Sequence, residues 1–484
     1  MIAKSRFPRT VGLYQVNRSD RCIACATCAE VCSRGVHRRV LGHNRMCLPE
    51  SHLCIGPECA ELENSCISLC PTGALSIQVN PAISVLGDLR WTPEIILATY
   101  HMAMTGDVPP GNRKYQKGRS GGGFDVLDFE TCDSAPRIDP GVVDLSLSLN
   151  RRGVGRDIKL PVPFYGGGMS FGSISLPVMI ARAKAVKEMG IFTCTGEGGY
   201  PDELLPYADH VITQIATGLF GVREQTIKLA PVIEFKYAQG AKPGLGGHLL
   251  ADKVTPEVAH IRQSVPWRSL FSPFPFHSVY SVEDHKKHLD WVKTVNPDAL
   301  ISVKVSTPSD VDMVAVGSYY AGANIIHIDG GYGGTGASPE ISKKNIAMPL
   351  EYAIRKAHKF LEKEGVRDKI TLIASGGIRN PYDIAKAIAM GADGVVLGTA
   401  ELIALECVRC RNCESGRGCP RGIATTDPEL CGQIDPEWGK NRILNLYRAY
   451  EKELKIILAR LGIDSINKLR GRMDLLRFNQ ENEE

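Results

Sequence analysis

The sequence lacks any long apolar run, and no segment approaches the roughly 18 consecutive apolar residues that a membrane-spanning helix needs. The first ten residues, MIAKSRFPRT, contain no apolar core of the kind found in export signals, which predicts a cytoplasmic protein with no membrane partner. Charge of one sign is also not in excess, because 57 Lys and Arg against 53 Asp and Glu leave a formal net charge of +4. Such a nearly neutral chain gives no reason to expect nucleic acid as a partner.

Cysteine, in contrast, is abundant, with 16 residues in a chain of 484. Nine of them lie between Cys22 and Cys70, and five lie between Cys407 and Cys431. Without an export signal, this clustering favours metal or redox ligation over disulfide bonds. The length is too great for one small domain and predicts one large domain accompanied by a small one.

The segment CIACATCAEVCS has the C-x2-C-x2-C-x3-C spacing of bacterial ferredoxins, with Ser33 where proline is usual. In such a loop three thiolates bind one cubane cluster and the fourth reaches the other cluster. Further along the chain, CIGPECAELENSCISLCPTGAL provides the remaining thiols. We therefore predict a small α+β ferredoxin-like domain over residues 1–80 with two [4Fe-4S] clusters. The predicted ligands are Cys22, Cys25, Cys28 and Cys70 for one cluster, and Cys32, Cys54, Cys59 and Cys66 for the other.

Two alternatives stay open in this cysteine-rich region. Cys47 is a spare thiol that could replace a ligand at the second, irregularly spaced cluster. A zinc module is the other alternative, although zinc rarely needs eight clustered thiolates.

The segment WTPEIILATYHMAMTG predicts a helix, with Thr92 as its N-cap, Pro93 in its first turn and Gly106 as its stop. This helix belongs to a predicted linker and lead-in region over residues 81–160. Later in the chain, NRILNLYRAYEKELKIILARLG has a charged amphipathic pattern that is typical of packing or interface helices. We therefore predict a helical tail over residues 431–484.

Between about residues 160 and 400, short apolar runs alternate with helix-like segments, an order typical of parallel strands covered by helices. The strand candidates include VPFYGGG, IFTCTG, VIEFKYA, LISVKVS, IIHIDGG, ITLIASGG and GVVLGTA. We predict an α/β fold, an (α/β)8 TIM barrel over residues 161–430, with a doubly wound sheet as the alternative, although no GxGxxG follows an early strand. Active sites of such barrels lie at the carboxyl ends of the strands. The polar or glycine residues found there are Glu197, Lys304, Asp329, Gly330 and Ser375.

Glycine turns follow the last two strand candidates and suit a phosphate group, because glycine lets the backbone approach an anion closely. The backbone amides concerned belong to Ser375, Gly376, Gly377, Gly398 and Thr399. Simple turn chemistry is the alternative, but two such turns in succession favour the phosphate of a flavin mononucleotide (FMN) or of a substrate. Iron–sulfur ligands nearby favour FMN, since a flavin exchanges electrons singly with a cluster and in pairs with a substrate.

Several longer motifs resemble the central flavin domain of glutamate synthases and occur in that family's order. They include GGGMSFGSIS, TGEGGYPDE, YAQGAKPGLGGHL, GGYGGTGASP, SGGIRNPYDIAKAIAMGADGVVLGTA and CPRGIATTDPEL, and the resemblance covers about residues 92–430. With the ferredoxin-like segment in front, the chain resembles the archaeal-type glutamate synthase large component. The resemblance implies an FMN-binding barrel with an iron–sulfur cluster beside it, which reduces 2-iminoglutarate, made from 2-oxoglutarate and ammonia, to L-glutamate.

The resemblance also implies roles for individual residues. Lys242 and Arg262 match basic positions around the 2-oxoglutarate carboxylates and the flavin, where a dianion needs cations. Glu197 matches an acid linked to ammonia or iminium handling, and Lys304 matches a lysine near the flavin ring. Weaker matches for cofactor binding are Ser170 and Gln239.

His248 departs from the bacterial pattern, in which glutamine follows the two glycines. A histidine can still donate a hydrogen bond to a substrate carboxylate, although its charge varies near neutral pH. We therefore predict His248 as a substrate-binding residue whose detailed contact differs from the bacterial one.

The resemblance gives the second cysteine cluster, at residues 407–419, a role as well. In the bacterial form three cysteines hold a [3Fe-4S] cluster, and the spacing of Cys407, Cys413 and Cys419 is similar, with one extra residue in the second gap. Cys410 is an additional thiol, so the predicted cluster is [3Fe-4S] or, with four thiolates, [4Fe-4S]. A surface zinc knuckle is the alternative.

Two modules of the bacterial enzyme have no counterpart in this sequence. The glutaminase domain is not expected, because Ile2 follows Met1 where its catalytic cysteine would stand. No long glycine-repeat helix is found after residue 430. A dinucleotide fingerprint for NADPH is also not found in the sequence. We expect ammonia and electrons to come from solution or from partner subunits. The expected partners are a glutaminase for ammonia and an NADPH oxidoreductase or ferredoxin for electrons. We also expect the protein to form an oligomer. The alternative functions are an N-methylglutamate synthase flavin subunit and an electron-transfer flavin and iron–sulfur subunit of a larger redox complex.

Overall fold

Parallel β-strands form the centre of the fold, and a small antiparallel sheet precedes them in the chain. The architecture comes from a computed structural model. It describes residues 1–7, 11–56, 59, 64–110, 115–130, 138–244, 246–333, 336, 338, 340–414 and 416–478.

The amino-terminal module is built on two antiparallel strands. Strand β1 (Tyr14–Arg18) pairs with β2 (Leu75–Val79), and the short helix α1 (Thr27–Val31) lies between them in sequence. The pairing brings together two strands that are far apart in sequence, so the cysteine-bearing loops are held on one sheet. The small core under this sheet consists of Val16, Cys28, Val36 and Leu75.

The predicted lead-in helix is confirmed as α2 (Pro93–Thr105). The Thr92 side chain accepts a hydrogen bond from the Ile95 amide at 3.4 Å, which satisfies one of the free N–H groups of the first turn. Gly106 ends the helix with a φ of 76°, a left-handed conformation that glycine adopts at low cost. Three short strands follow before the barrel: β3 (Leu127–Phe129), β4 (Leu147–Ser148) and β5 (Lys159–Leu160).

Eight parallel strands form the barrel and follow one another around it in chain order. The two edge strands are joined, since the Gly166 amide donates to the Phe192 carbonyl at 2.8 Å and a bridge pairs Gly168 with Cys194. The (α/β)8 barrel predicted from the sequence is confirmed, and the doubly wound alternative is wrong. The strands are β6 (Phe164–Gly166), β7 (Thr193–Cys194), β8 (Val211–Ala216), β9 (Val232–Lys236), β10 (Leu300–Ser306), β11 (Ile325–Asp329), β12 (Thr371–Ser375) and β13 (Gly394–Leu397).

Strand β8, with the sequence VITQIA, is not among the seven strand candidates taken from the sequence. All six of its residues are buried. Thr213 and Gln214 interrupt its apolar run, and the Gln214 side chain donates to the buried carboxylate of Glu234 at 2.7 Å. A barrel interior that holds polar groups therefore hides a strand from a search for apolar runs.

Helices cover the outside of the barrel and bury apolar stripes against it. In α9, for example, Leu350, Ile354, Ala357 and Leu361 are buried at helical spacing. The helices are α3 (Leu176–Met189), α4 (Glu224–Leu229), α5 (Pro256–Arg262), α6 (Val282–Val295), α7 (Val311–Ala321), α8 (Glu340–Asn345), α9 (Leu350–Lys363), α10 (Pro381–Met390) and α11 (Thr399–Ala404).

The carboxy-terminal segment is helical only in part. It contains α12 (Pro428–Cys431), the long α13 (Pro436–Arg460), α14 (Ile466–Leu469) and a final strand, β14 (Leu476–Phe478). Helix α13 packs against α2 and α3, whereas β14 pairs antiparallel with β3 and so returns the chain to the lead-in region. Within the described ranges, no helix combines the length and the apolarity that crossing a membrane requires.

Candidate active site

A cavity of about 630 Å³ opens where the carboxyl ends of the barrel strands meet. Its walls bring together residues from all eight strands or the loops after them, which is the usual position of a barrel active site. The residues of its lining that the sequence predicted for cofactor or substrate binding are Ser170, Glu197, Gln239, Lys242, His248, Arg262, Lys304, Asp329, Ser375, Gly376, Gly377, Gly398 and Thr399.

Among the residues predicted for cofactor or substrate binding, Gly330 is the one that does not belong to this lining as the structure describes it. Its amide donates to the Ser375 carbonyl at 2.8 Å. A Cβ atom at Gly330 would lie 2.6 Å from the Cβ of Leu350, so the position requires glycine for packing. Gly330 thus lies behind the cavity wall, between β11 and α9.

The two predicted phosphate turns both face the cavity. Gly376 and Gly377 have φ values of 91° and 114°, which side chains other than hydrogen rarely allow. At Gly398, which precedes α11, a Cβ atom would meet no atom within 4 Å, so the backbone there is open to a ligand. These turns fit the phosphate of a flavin, because they offer backbone N–H groups without side chains in the way.

Glu197 is held by a cation that the sequence did not single out. The Lys236 ammonium, at the end of β9, lies 2.9 Å from Glu197 Oε1 and donates to Gln239 Oε1 at 2.6 Å. Burial alone would raise the pKa of Glu197, but the charge and hydrogen bond of Lys236 outweigh it, with a further contribution from Arg262, and lower that pKa to about 2. Glu197 is therefore an anion at any physiological pH.

Removing the cation that faces Glu197 should destabilise the protein in a pH-dependent way. In the wild type the carboxylate contributes stability in full above its ordinary pKa of 4.5, and that contribution is lost as the pH falls towards about 2. In Lys236→Met we expect a loss of about 3 kcal/mol at pH 7, since a buried charge is left without its nearest partner. The loss should shrink at pH 4, because burial raises the pKa of Glu197 in the variant, where Lys236 no longer opposes it, and the carboxylate can take up a proton. Urea unfolding of the wild type and the variant at both pH values measures the difference.

The matched control is Lys228→Met, which removes an exposed lysine paired with Glu224 one helical turn away. This variant should unfold like the wild type at both pH values, because exposed pairs contribute little. An equal destabilisation of Lys236→Met at pH 7 and pH 4 would contradict the assignment of the effect to Glu197.

A hydrogen-bonded network of buried polar groups supports the bottom of the cavity. Ser375 Oγ donates to Asp329 Oδ1 at 2.6 Å and contacts His327 Nε2 at 2.7 Å, while His327 Nδ1 lies 2.8 Å from Glu234 Oε2. Lys304 Nζ lies 3.7 Å from Asp329 Oδ2. Burial would lower the pKa of Lys304, but the charges of Asp329 and Glu234 raise it above its ordinary value, so Lys304 stays cationic. The Ser375 hydroxyl is engaged inside the barrel, so a ligand at this turn would meet backbone amides and not this side chain.

Arg262 and Lys242 are buried cations whose charges are only partly compensated. Arg262 Nη2 donates to Ser170 Oγ at 3.1 Å and to the Phe171 carbonyl at 2.9 Å, whereas its Nε and Nη1 atoms have no partner among the described residues. Burial lowers the pKa of Arg262 to about 10, which still leaves it protonated at neutral pH. Lys242 is 6% exposed, and burial lowers its pKa as well. Buried donors without partners indicate a site for an anionic ligand.

His248 lies at the rim of the same cavity and stacks on Phe271, with the ring centres 5.0 Å apart. Burial and the nearby charge of Lys242 both lower the pKa of His248. At neutral pH the imidazole is therefore uncharged, and it can donate one hydrogen bond without adding charge to the site.

The cysteine loop at residues 407–419 adjoins this cavity, and Cys407 and Cys413 are part of its lining. Cys419 is buried, whereas Cys410 is exposed. Burial, followed by the charges of Cys413 and Cys419, raises the pKa of Cys407 to about 12, so the thiolate there would need a bound metal centre to form.

The backbone around these cysteines is unusual. Glu406, Arg409 and Arg411 have φ values of 72°, 56° and 64°, which is a left-handed conformation that costs energy for residues other than glycine. Lys253 anchors this loop with two hydrogen bonds. Its ammonium donates to the carbonyls of Cys413 at 2.6 Å and Ala424 at 3.1 Å. Left-handed residues in a loop can direct N–H groups into an anion-binding concavity, as at many iron–sulfur sites.

The second predicted set of amino-terminal cysteines surrounds one pocket, which is lined by Cys32, Cys54, Cys59 and Cys66. Burial and then the charges of the other three thiols raise the pKa of Cys66 to about 11. These thiols surround a space instead of converging on one point. Among all described residues, no group of three or more His, Cys, Asp or Glu is arranged to hold a single metal ion.

The first predicted set shares electrostatic contacts of the same kind. Burial raises the pKa of the Cys28 thiol, and Cys22 and Cys25 add to the effect, while Cys25 in turn is influenced by Cys70. Between the first three cysteines, the backbone at Ala24 and Ala26 is left-handed, with φ values of 55° and 70°. Cys47 is exposed and lies outside both sets.

Comparison with known proteins identifies the family to which the chain belongs. The family model described as the conserved region in glutamate synthase matches residues 132–464. An archaeal-type glutamate synthase (NADPH) of Thermotoga maritima is 36% identical over 96% of this chain and 94% of its own length. An archaeal glutamate synthase (NADPH) of Methanocaldococcus jannaschii is 36% identical over 95% of this chain and 93% of its own length.

The chain belongs to the glutamate synthase family and is an oxidoreductase of the type that acts on CH–NH2 groups. The family resemblance predicted from the sequence motifs is thereby confirmed. Among solved structures, a mutant flavocytochrome b2 with benzoylformate has a TM-score of 0.46 and 17% identity, covering 73% of this chain and 76% of that chain.

Proposed function

We propose that the protein is the FMN-binding and iron–sulfur subunit of a glutamate synthase, in which 2-iminoglutarate is reduced to L-glutamate. The observation that carries the proposal is the pair of buried cations, Lys242 and Arg262, facing the same cavity as the ionised Glu197. A dicarboxylate with an imine between its ends carries two negative groups and one group that becomes cationic. The cavity offers complementary charges for all of them.

The FMN site is assigned to the cavity wall formed by the glycine turns and the barrel floor. Gly376, Gly377, Gly398 and Thr399 would hold the phosphate, and Lys304 places a cation near the strand ends where the flavin ring is expected. Asp329, Ser170 and Gln239 complete the assigned cofactor residues, and Gly330 supports them from behind the wall. When bound, FMN supplies the two-electron reduction of the imine.

The substrate site is assigned to Lys242, Arg262 and His248. The free Nε and Nη1 groups of Arg262 can each donate a hydrogen bond to an anionic ligand, and Lys242 provides the second positive charge. Condensation of 2-oxoglutarate with ammonia releases water, and reduction of the resulting imine takes up two electrons and two protons.

Glu197 has the lowered pKa of a weak base, because Lys236 stabilises its charged form. We therefore assign to this carboxylate the role of binding the ammonium or iminium cation, and not the role of a general base that removes a proton from it. This assignment narrows the role that the sequence resemblance implied.

Iron–sulfur clusters, when bound, would deliver electrons one at a time to the barrel. The two amino-terminal sets of four cysteines and the loop with Cys407, Cys413 and Cys419 are the proposed ligands. Both relatives carry NADPH in their names, and this sequence has no dinucleotide fingerprint, so we propose that a partner subunit accepts the electrons from NADPH. The glutaminase partner, the oligomer and the cytoplasmic location stay predictions.

The relatives support glutamate formation over the two other functions considered from the sequence. Their names describe glutamate synthases, and no comparison favours methylamine as the nitrogen source or electron transfer as the only role. The test is anaerobic turnover of the reconstituted protein with a low-potential donor, 2-oxoglutarate and either ammonium or methylamine. Glutamate formed from ammonium supports the proposal, whereas turnover with methylamine alone, or reducible flavin without an amino acid product, would contradict it.

The number of thiolates at the barrel cluster can be tested with Cys410. Because this thiol is exposed while Cys407 and Cys413 line the cavity and Cys419 is buried, we expect three thiolates to hold the cluster. Cys410→Ser should therefore keep the iron content and the electron paramagnetic resonance spectrum of the wild type. A changed spectrum together with iron loss would show that Cys410 is the fourth ligand.

A further inference from the structure

A guanidinium group in the cavity wall, that of Arg90, has no hydrogen-bond partner. Its Nη1 and Nη2 atoms are both buried, and neither has a partner among the described residues. Arg90 lies outside residues 132–464, the part of the chain that the family model matches. A buried charged group without partners is costly, so its presence in a cavity wall indicates a ligand that completes it.

The backbone of Arg90 is fixed by neighbours on both sides. Asp88 Oδ1 accepts hydrogen bonds from the amides of Arg90 at 3.0 Å and Trp91 at 2.9 Å. Arg379 Nη1 donates to the Arg90 carbonyl at 2.7 Å, and Arg379 is itself paired with Asp383 at 2.7 Å. The segment before α2 is thereby attached to the barrel beside the loop that follows β12.

The side chain of Arg90 is positioned as firmly as its backbone. Its guanidinium carbon lies 3.5 Å from the centre of the Tyr332 ring, and Tyr332 also lines the cavity. A guanidinium that stacks through its face keeps its N–H groups, which lie in its plane, available to an anion. A Cβ atom added to Gly377 would lie 3.3 Å from Nη2 of Arg90, so the guanidinium is adjacent to a proposed phosphate turn.

Glu351 is the nearby carboxylate that could otherwise neutralise Arg90. No ion pair joins the two residues, and both carboxylate oxygens of Glu351 are themselves buried without a partner in the described structure. Burial raises the pKa of Glu351, which favours its neutral form. Within the described residues, no hydrogen bond or ion pair therefore engages the Nη1 and Nη2 atoms of Arg90, and Arg90 lines the cavity.

We infer that Arg90 is a cofactor-binding residue that donates to the phosphate of FMN at the turn of Gly376 and Gly377. The inference rests on the proposed flavin site and extends it to a residue from outside the barrel. A phosphate ester offers the several acceptor oxygens that a guanidinium can bind bidentately. The same chemistry would suit a carboxylate of 2-oxoglutarate. The proposed substrate cations Lys242 and Arg262, however, come from the loop after β9 and from α5, whereas Arg90 is adjacent to the phosphate turn after β12. We therefore assign Arg90 to the phosphate.

The test compares FMN with riboflavin, which lacks the phosphate. Full-length protein freed of flavin is titrated with each compound, and binding is followed by quenching of flavin fluorescence. In Arg90→Gln we expect FMN affinity to fall about 10- to 100-fold, the range for a charged hydrogen bond, while riboflavin affinity stays that of the wild type. Arg90→Lys should restore part of the loss, because the charge remains but the bidentate geometry does not.

Arg472→Gln is the matched control, since Arg472 pairs with Asp474 on the surface away from the cavity. Where flavin-free protein does not survive, the rate of FMN release from the holoprotein on dilution gives the same comparison. Equal weakening of FMN and riboflavin would show a structural role for Arg90 and overturn the inference, as would unchanged FMN binding.

Two further outcomes separate this inference from the proposed function. Loss of 2-oxoglutarate affinity with FMN binding intact would reassign Arg90 to the substrate and overturn the inference alone. If the wild-type protein itself binds FMN no more tightly than riboflavin, the proposed phosphate site fails together with Arg90.

Discussion

Replacing both substrate cations, Lys242→Gln together with Arg262→Gln, should lower kcat/KM for 2-oxoglutarate by about 1000-fold or more, from two lost charge-assisted contacts. The physical reason is that both side chains are buried and that the Arg262 Nε and Nη1 donors lack partners among the described residues, so a bound dianion loses its compensating charges. Initial rates at varied 2-oxoglutarate, with saturating ammonium and a low-potential donor, measure the effect.

The same exchange of residue types on the surface provides the control. Lys228→Gln with Arg472→Gln removes two exposed charges that pair with Glu224 and Asp474, and it should leave the kinetics unchanged. Since Arg262 also donates to Ser170 and Phe171, the flavin absorbance and the unfolding temperature of the double variant must be recorded. A folded, flavin-loaded variant that still binds 2-oxoglutarate with wild-type affinity would contradict the substrate site.

Removing one thiol of the barrel loop should have the second large effect. In Cys407→Ser or Cys413→Ser we expect the iron content to fall by one cluster and turnover with an iron–sulfur donor to fall by about 100-fold or more, since a ligand of the relay is lost. FMN should stay bound, because the phosphate turns and Lys304 do not depend on these thiols. Iron analysis, flavin absorbance and turnover of the same preparation provide the measurement.

Cys431→Ser is the matched control for the loop. Cys431 lies close by, and its thiol contacts the Thr425 carbonyl at 3.5 Å, but it is not among the proposed ligands. It should retain iron and activity. Full turnover in Cys407→Ser with one cluster missing would contradict the proposed electron route through this loop.

The barrel could be predicted from the sequence because its interior strands are short apolar runs bounded by glycine and polar residues. The ends of α2 were equally predictable, since Thr92 and Gly106 act through local backbone geometry. Strand β8 could not be recognised in this way, because it contains the polar residue Gln214. The Gln214 side chain is buried, and a hydrogen bond to Glu234 on the next strand satisfies it. Such a partner becomes visible only in the folded barrel.

The site residues show the same division. Glycines and cations at strand ends were predictable, and nearly all of them line one cavity. Lys236 lies within the predicted strand VIEFKYA but gave no distinguishing signal, since its importance comes from the 2.9 Å contact with Glu197. Arg90 reaches the cavity because the lead-in segment is bonded to Arg379, a contact between residues 289 positions apart. Local sequence patterns carry no information about such contacts.

The most direct measurement of the central proposal is a single turnover. Protein reduced without oxygen is mixed rapidly with 2-oxoglutarate and 15N-labelled ammonium, and flavin absorbance and labelled glutamate are followed together. We expect flavin reoxidation to coincide with the appearance of one 15N-glutamate for each pair of electrons lost. Reoxidation that is independent of both substrates, or that yields no labelled glutamate, would contradict the assignment of glutamate formation to this cavity.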